Sequence, residues 1–197
     1  MKMEPIQDIT GVVLAGGQSS RFGSNKALAL WRGKFLIQHV RDTLAAVFSN
    51  LLLVANTPEQ FTFLNMETTS DRYQNMGPLA GIHAALCHTG KPWIFVIGCD
   101  MPAVTPDVVT FLCGFAKETY EAVIPWPTSG PEPLCGLYHK TARATIELQL
   151  ENKRNQLKEL LEILSVRKVT GEELLSVMGS LQHFSNVNRK QDLDTLP

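Results

Sequence analysis

Two short stretches carry residue types that together could manage a polyphosphate. The first is Gly16-Gly17-Gln18-Ser19-Ser20-Arg21-Phe22-Gly23, followed by Lys26. Glycines let backbone N–H groups come close to an anion, and Arg21 and Lys26 add positive charge. No G-K-[ST] closes this loop, so it is not a Walker A motif, and it does not match G-x-G-x-x-G. On its own such a loop is also what a tight turn looks like. The second stretch is Gly98-Cys99-Asp100-Met101-Pro102, where one acid ends an apolar run. A carboxylate there is costly unless it is paired, hydrogen-bonded or bound to a metal. Mg²⁺ takes one or two carboxylates and fills its remaining positions with water and substrate phosphates, so a single Asp suffices when a nucleotide supplies the rest. Asp100 could equally cap the Pro102 turn or the next helix.

The elements that must position these groups read as alternating short apolar runs and helical stripes, the pattern of a mostly parallel α/β sheet. Ile9 to Ala15, Leu51 to Ala55 and Trp93 to Ile97 read as core strands, and a short strand is expected around Leu28 to Trp31. Phe35 to Phe48 and Leu79 to Cys87 read as helices. Thr105-Pro106 opens another through Phe115, with Thr as N-cap and Pro in the first turn. Probable strands at 121–125 and 134–138 flank the Pro/Gly-rich segment Pro125 to Pro133. A helical stretch from Thr141 to Leu164 breaks at Glu151 to Gln156, a strand follows at Val166 to Val169, and a short helix at Gly171 to Met178. The expectation is one α/β domain over residues 1–197 with helices on both faces of the sheet. Its nucleotide-binding part spans about 9–115 and its acceptor-binding part about 116–197. In such sheets ligands bind beyond the carboxyl ends of the strands, where both stretches fall.

Composition narrows the class. The chain has 197 residues, 44% of them apolar, with eighteen Lys plus Arg against nineteen Asp plus Glu. That length and apolar fraction suit one globular domain. A formal net charge of -1 argues against broad nucleic-acid binding. No apolar run is long enough to span a membrane, and the start Met1-Lys2-Met3-Glu4-Pro5 lacks an export pattern, so a cytoplasmic protein is expected. Cys87, Cys99, Cys113 and Cys135 stand apart without a C-x-x-C pair and read as small buried hydrophobes. The five histidines show no metal-ligand spacing. Trp93 and Trp126 read as packing residues, and Lys153-Arg154 as a solvated face.

Leu14-Ala15-Gly16-Gly17-Gln18-Ser19-Ser20-Arg21-Phe22-Gly23-Ser24-Asn25-Lys26 resembles the signature L-A-G-G-x-S-x-R-M-G-x-D-K of the molybdenum cofactor guanylyltransferase (MobA) family. Gly77-Pro78-Leu79-Ala80-Gly81, Cys99-Asp100-Met101-Pro102, Pro133-Leu134 with Leu137-Tyr138, and Asn186-Val187-Asn188 resemble its later blocks, in order and spacing. The resemblance implies a Rossmann-like fold and a reaction: GTP plus Mo-molybdopterin gives the guanine dinucleotide cofactor and pyrophosphate. It also implies roles. Leu14, Ala15, Gly16 and Gly17 line the nucleotide, Arg21 and Lys26 neutralise the leaving pyrophosphate, and Asp100 holds Mg²⁺. Asp71 contacts the nucleoside, and Gly77-Pro78-Leu79 border the base. Asn186 and Asn188 lie near the pterin. Transient contact with cofactor insertion or delivery proteins is compatible with it.

The departures are Phe22 for Met, Asn25 for Asp, Val54 where an Asn is usual, and Arg189-Lys190-Gln191-Asp192 after the last block. Val54 cannot hydrogen-bond a nucleoside, which leaves that contact to backbone or Asn56. Gly16-Gly17 and the intact Gly77 to Gly81 block favour guanine over the cytosine of a sister family. The alternatives are that cytidylyltransferase, a sugar-phosphate nucleotidyltransferase of the same fold, or a non-catalytic nucleotide-binding protein for cofactor delivery.

Overall fold

The computed structural model describes residues 4–16 and 25–196. Strand β1 (Ile6–Leu14) is followed by a 3₁₀ turn at Lys26–Leu28 and a hairpin of β2 (Leu30–Trp31) and β3 (Lys34–Phe35). Arg32 and Gly33 at its tip both have positive φ, 47° and 78°, which suits the right-handed twist of a two-residue hairpin. Helix α1 (Leu36–Ala45) leads into β4 (Phe48–Val54), a 3₁₀ turn at Pro58–Leu64, and β5 (Glu67–Thr69). Then come α2 (Pro78–His88), β6 (Trp93–Gly98), α3 (Pro106–Cys113), β7 (Ala122–Trp126), β8 (Cys135–His139), α4 (Ala142–Glu151), α5 (Leu157–Ile163), β9 (Val166–Thr170) and α6 (Gly171–Met178).

Seven strands form one sheet in the order β5-β4-β1-β6-β8-β7-β9. Every neighbouring pair is parallel except the two made by β8, which runs against both β6 and β7. All six residues of β6 are buried, as a central strand covered on both faces requires. Its side chains alternate between two cores. Phe95 and Ile97 pack on the face carrying Ile37, Val40 and Leu44 of α1 and Val108, Val109 and Leu112 of α3. Ile94 and Val96 pack on the face carrying Leu79 and Ile82 of α2, Ile146 of α4 and Leu160 of α5. The expected mostly parallel sheet with helices on both faces is what the chain forms.

Three local expectations shift. The helix expected to run through Phe48 ends at Ala45, and β4 begins at Phe48 rather than Leu51. Val47 and Phe48 are buried and stand three and four residues after Leu44, so they continue the helical spacing even though the chain has already turned. The expected strand from Leu28 begins only at Leu30, because Asn25 caps a 3₁₀ turn: its side-chain oxygen accepts from the Ala27 N–H at 3.1 Å. Thr105 does precede α3 in extended conformation with Pro106 behind it, but its side chain makes no cap hydrogen bond.

One anchor below the functional end of the sheet is testable. Tyr138 is fully buried on β8 and its hydroxyl donates to the Pro133 carbonyl at 2.9 Å. Tyr138→Phe removes that donor, and losing a buried hydrogen bond costs about 1–2 kcal/mol. A fall in the denaturation midpoint with an unchanged slope against denaturant is the expected result; an unaltered midpoint would mean the bond carries no net stability.

Candidate active site

β1 and β6 lie side by side in parallel with Leu14 opposite Gly98, and β4 places Val54 opposite Leu14 on the other flank. The chain therefore leaves β1 and β6 at adjacent points of the same sheet edge. The Cys99 N–H donates to the Leu14 carbonyl at 3.1 Å and the Ala15 N–H to the Val54 carbonyl at 2.9 Å, so the three strand ends are tied together. Gly16 follows, exposed, with nothing within 4 Å of where a Cβ would stand. Gly17 and Arg21 lie outside the described residues.

Across that edge Lys26 Nζ donates to Asp100 Oδ2 at 2.8 Å, and the two side chains are 17% and 20% exposed. Asp100 folds back over its strand end: its Oδ1 sits 2.6 Å from the position a Cβ on Gly98 would take. Lys26 begins the 3₁₀ turn that Asn25 caps, and Asn25 also donates to Gln60 Oε1 at 2.7 Å. The exchange of Asp for Asn at position 25 thus keeps the oxygen that caps the turn and adds a donor. The Asp100 carboxylate, partly open to solvent and paired with Lys26, is a hard oxygen donor of the sort Mg²⁺ takes.

A second polar pair lies on the β4 flank. Asn56 Nδ2 donates to Asp71 Oδ2 at 3.2 Å, and the Asp71 N–H donates to Asn56 Oδ1 at 3.2 Å. Burial raises the Asp71 pKa above the ordinary carboxylate value, and the Asn56 hydrogen bond works against that rise. Asp71 Oδ1 also stands 3.6 Å from the Cβ position of Gly81, over the first turn of α2. That helix begins at Gly77 with φ 67° and ψ -160°, a backbone that glycine alone adopts cheaply, and Pro78 follows in the first turn. Leu79 points into the core at 0% exposed, so only its backbone can border a ligand.

The C-terminal segment closes the other flank. The Val187 N–H donates to the Asp100 carbonyl at 2.8 Å, and the Val187 side chain is fully buried in a small cluster with Leu36. Asn186 and Asn188 on either side are exposed. Asp192 accepts from the Asn188 and Arg189 N–H groups, each at 2.7 Å. Those bonds, with lesser help from Arg189 and Lys26, hold its pKa below the usual value.

One residue that sequence reasoning passed over joins this flank. Glu132 is half-buried between Pro131 and Pro133. Burial, and to a lesser degree the charge of Asp100, raise its pKa. The signal was an acid enclosed by two prolines beside a recognised block, inside a stretch read only as a loop.

The arrangement is a row of groups along the carboxyl edge of one sheet. In order it holds Asn56–Asp71, Lys26 with Asp100, and the 186–188 segment bound at Val187 to the Asp100 carbonyl. Residues 11–169 match the model of the MobA-like NTP transferase domain. The chain belongs to this family. A molybdenum cofactor guanylyltransferase from Desulfosudis oleivorans is 34% identical over 187 residues, covering 94% of this chain and 93% of the relative. A probable molybdenum cofactor guanylyltransferase from Geobacillus sp. is 33% identical over 193 residues, covering 95% and 97%. The crystal structure of molybdopterin-guanine dinucleotide biosynthesis protein A from Archaeoglobus fulgidus superposes with a TM-score of 0.83 at 30% identity, covering 95% and 96%.

Membership makes the protein a nucleotidyltransferase of Rossmann-like fold. Among the described residues no helix is long and apolar enough to cross a membrane, and the four cysteines are free. Burial pushes the Cys99 and Cys113 thiols up to about 12, and Cys135 higher still, so these three are packing groups rather than nucleophiles. Trp93 is buried against His139, with ring centroids 4.8 Å apart, and Trp126 lies under Lys168 Nζ at 4.4 Å.

Proposed function

We propose that this protein transfers GMP from GTP to the terminal phosphate of Mo-molybdopterin, giving the molybdopterin guanine dinucleotide cofactor and pyrophosphate. The observation that carries the reading is the 2.8 Å Lys26–Asp100 pair across the β1–β6 edge, flanked by the Asn56–Asp71 pair on one side and an asparagine-bearing segment on the other. The names and coverage of the relatives support the same chemistry.

In this reading the base and ribose lie over the β4–β5 flank. The Asp71 carboxylate, fixed by its two bonds to Asn56, accepts from the nucleoside, and the backbone of Gly77-Pro78-Leu79 reads the base edge. Val54 is buried, and Asn56 takes over the polar role that an Asn at position 54 would have. Leu14, Ala15, Gly16 and Gly17 border the triphosphate; the Ala15 N–H is held by the Val54 carbonyl, which leaves the N–H groups after it to meet phosphate oxygens. Arg21 and Lys26 offset the charge that grows on the departing pyrophosphate. The acceptor phosphate attacks the α-phosphorus in line from the side of Asn186 and Asn188, and the bond to pyrophosphate breaks. No protein nucleophile is required, because phosphoryl and nucleotidyl transfer depend mainly on positioning and charge neutralisation.

Asp100 would hold Mg²⁺, whose charge, when bound, offsets that of the α-phosphate and the leaving group. Residues 9–115 then form the nucleotide part and 116–197 the acceptor part. The cytoplasm is the natural place for both substrates, and a delivery protein the natural recipient of the product.

The test is a competition. Protein, Mg²⁺ and Mo-molybdopterin are incubated with equal GTP and CTP, and the dinucleotide products are separated. Guanine dinucleotide is expected in large excess. A cytosine product would overturn the base assignment given to Gly77 to Leu79, and formation of neither product would overturn the reaction.

A further inference from the structure

We propose that Gln60 is a positioning residue for the phosphates of the nucleotide, acting through Asn25 on Lys26. The proposal rests on the reading above for the meeting of Lys26 with those phosphates, and on geometry for the rest. Asn25 uses both ends of its side chain. Its Oδ1 accepts from the Ala27 N–H at 3.1 Å and caps the 3₁₀ turn that Lys26 begins, while its Nδ2 donates to Gln60 Oε1 at 2.7 Å. An amide is held flat by resonance, so a partner that fixes its nitrogen also fixes the direction of its oxygen. From the turn capped in this way Lys26 reaches Asp100 Oδ2 at 2.8 Å.

Gln60 has a firm support. It stands in the 3₁₀ turn Pro58–Leu64, whose Phe61 and Leu64 side chains are buried, and its N–H donates to the Thr57 carbonyl at 3.2 Å. Phe63 of the same turn packs on Phe35 of β3, with ring centroids 5.5 Å apart, so the turn also braces the hairpin that follows Lys26–Leu28. Gln60 itself is exposed and takes no part in that packing; what its side chain holds is Asn25. The turn begins two residues after Asn56, so one segment joins the nucleoside flank to the Lys26 turn. A lysine on an unsupported turn must be ordered when the phosphates arrive. Ordering one such side chain costs several-fold to about tenfold in affinity, which prior support removes.

The chemistry of the two amides sets the sign of each substitution. Gln60 serves either residue at position 25, accepting from an Asn or turning its own amide to donate to an Asp. A Glu at position 60 can only accept when ionised, so it serves Asn25 and repels an Asp there.

The experiment compares Gln60→Ala, Gln60→Glu, Asn25→Asp and the double variant Asn25→Asp with Gln60→Glu against the unaltered protein. Gln60→Ala is also combined with Lys26→Met. Melting temperatures verify that each is folded. Binding of GTP with Mg²⁺ is measured without acceptor, and KM for each substrate and kcat are measured during turnover.

Gln60→Ala is expected to raise the GTP Kd and lower kcat/KM for GTP about fivefold, while the acceptor KM stays within about twofold. Gln60→Glu should recover most of that loss, and the double carboxylate variant should lose more than its two single variants combined. In the Lys26→Met protein, where no ammonium remains to be positioned, Gln60→Ala should add nothing. A further loss of the same size there would overturn the proposal. So would a Gln60→Ala protein that melts lower but binds GTP as the unaltered protein does, since the bond would then serve stability alone. If the unaltered protein binds GTP but forms no dinucleotide, the functional reading fails and the GTP-binding comparisons still decide the proposal. If it binds no GTP, both fail.

Discussion

Asp100→Ala is expected to lower the rate of guanylyl transfer by roughly three orders of magnitude while the protein remains folded. The two halves of that expectation have separate physical causes. Asp100 lies past the end of β6 with its side chain 20% exposed, and it pairs with Lys26 at 2.8 Å. A pair at that exposure contributes no more than about 1 kcal/mol to stability. The bond that ties the C-terminal segment to this turn uses the Asp100 backbone carbonyl, which alanine keeps.

On the proposed reading the loss in rate is larger, because the carboxylate would hold a metal against the α-phosphate. A bound cation contributes several kcal/mol of charge stabilisation, and about 4 kcal/mol is a thousandfold. Asp100→Asn separates the possibilities: it preserves shape and hydrogen bonding but loses the charge, so it should be nearly as inactive as the alanine variant. Circular dichroism and melting curves check the fold, and product formation under saturating GTP checks the rate. A native rate in Asp100→Ala would sink the mechanism, and near-native activity in Asp100→Asn would reduce Asp100 to a neutral hydrogen-bonding group.

How far the chain could be read before its structure depends on what each element buries. β6 was legible because six consecutive buried residues leave no polar face to confuse the pattern. Helices α2 and α6 were placed within a residue, α2 by the break at Gly77-Pro78. β5 was not seen at all: Glu67-Thr68-Thr69 is three residues at the edge of the sheet with mostly exposed side chains, and such a strand carries no hydrophobic signal. The direction of β8 was equally invisible, since a local pattern states that a strand exists but not which way it runs.

The site shows the same division. That Lys26 and Asp100 would meet followed from placing both after core strands, but only on the condition that those strands were neighbours, which the parallel β1–β6 pairing supplies. The Asn56–Asp71 pair joins two strand ends fifteen residues apart, and it depends on β5, the element that left no trace.

Lys26→Met is the second large expectation, a fall of about a hundredfold in kcat/KM for GTP that includes a rise in KM. Removing one preorganised positive or donor group from a site of developing negative charge costs roughly 10²–10³ in rate. Methionine keeps much of the length and apolar stem of lysine and loses only the ammonium. That ammonium is bonded to Asp100. On the proposed reading a bound triphosphate offers Lys26 phosphate oxygens in place of the carboxylate, and the ion pair gives way to two separate contacts.

This exchange predicts how the two substitutions combine. If the pair mattered only as a structural link, either variant alone would lower the melting temperature and the double variant would be no worse. If each group acts on the nucleotide, the melting temperatures barely move, and both singles lose rate. The double variant then loses less than the product of the two, because the groups serve one transition state. Lys26→Arg restores the charge but not the point-like ammonium, so it should recover binding of GTP better than turnover. A Lys26→Met protein that binds GTP normally and turns over within a few-fold of the native rate would leave Arg21 and the backbone of the β1 loop as the groups that meet the phosphates.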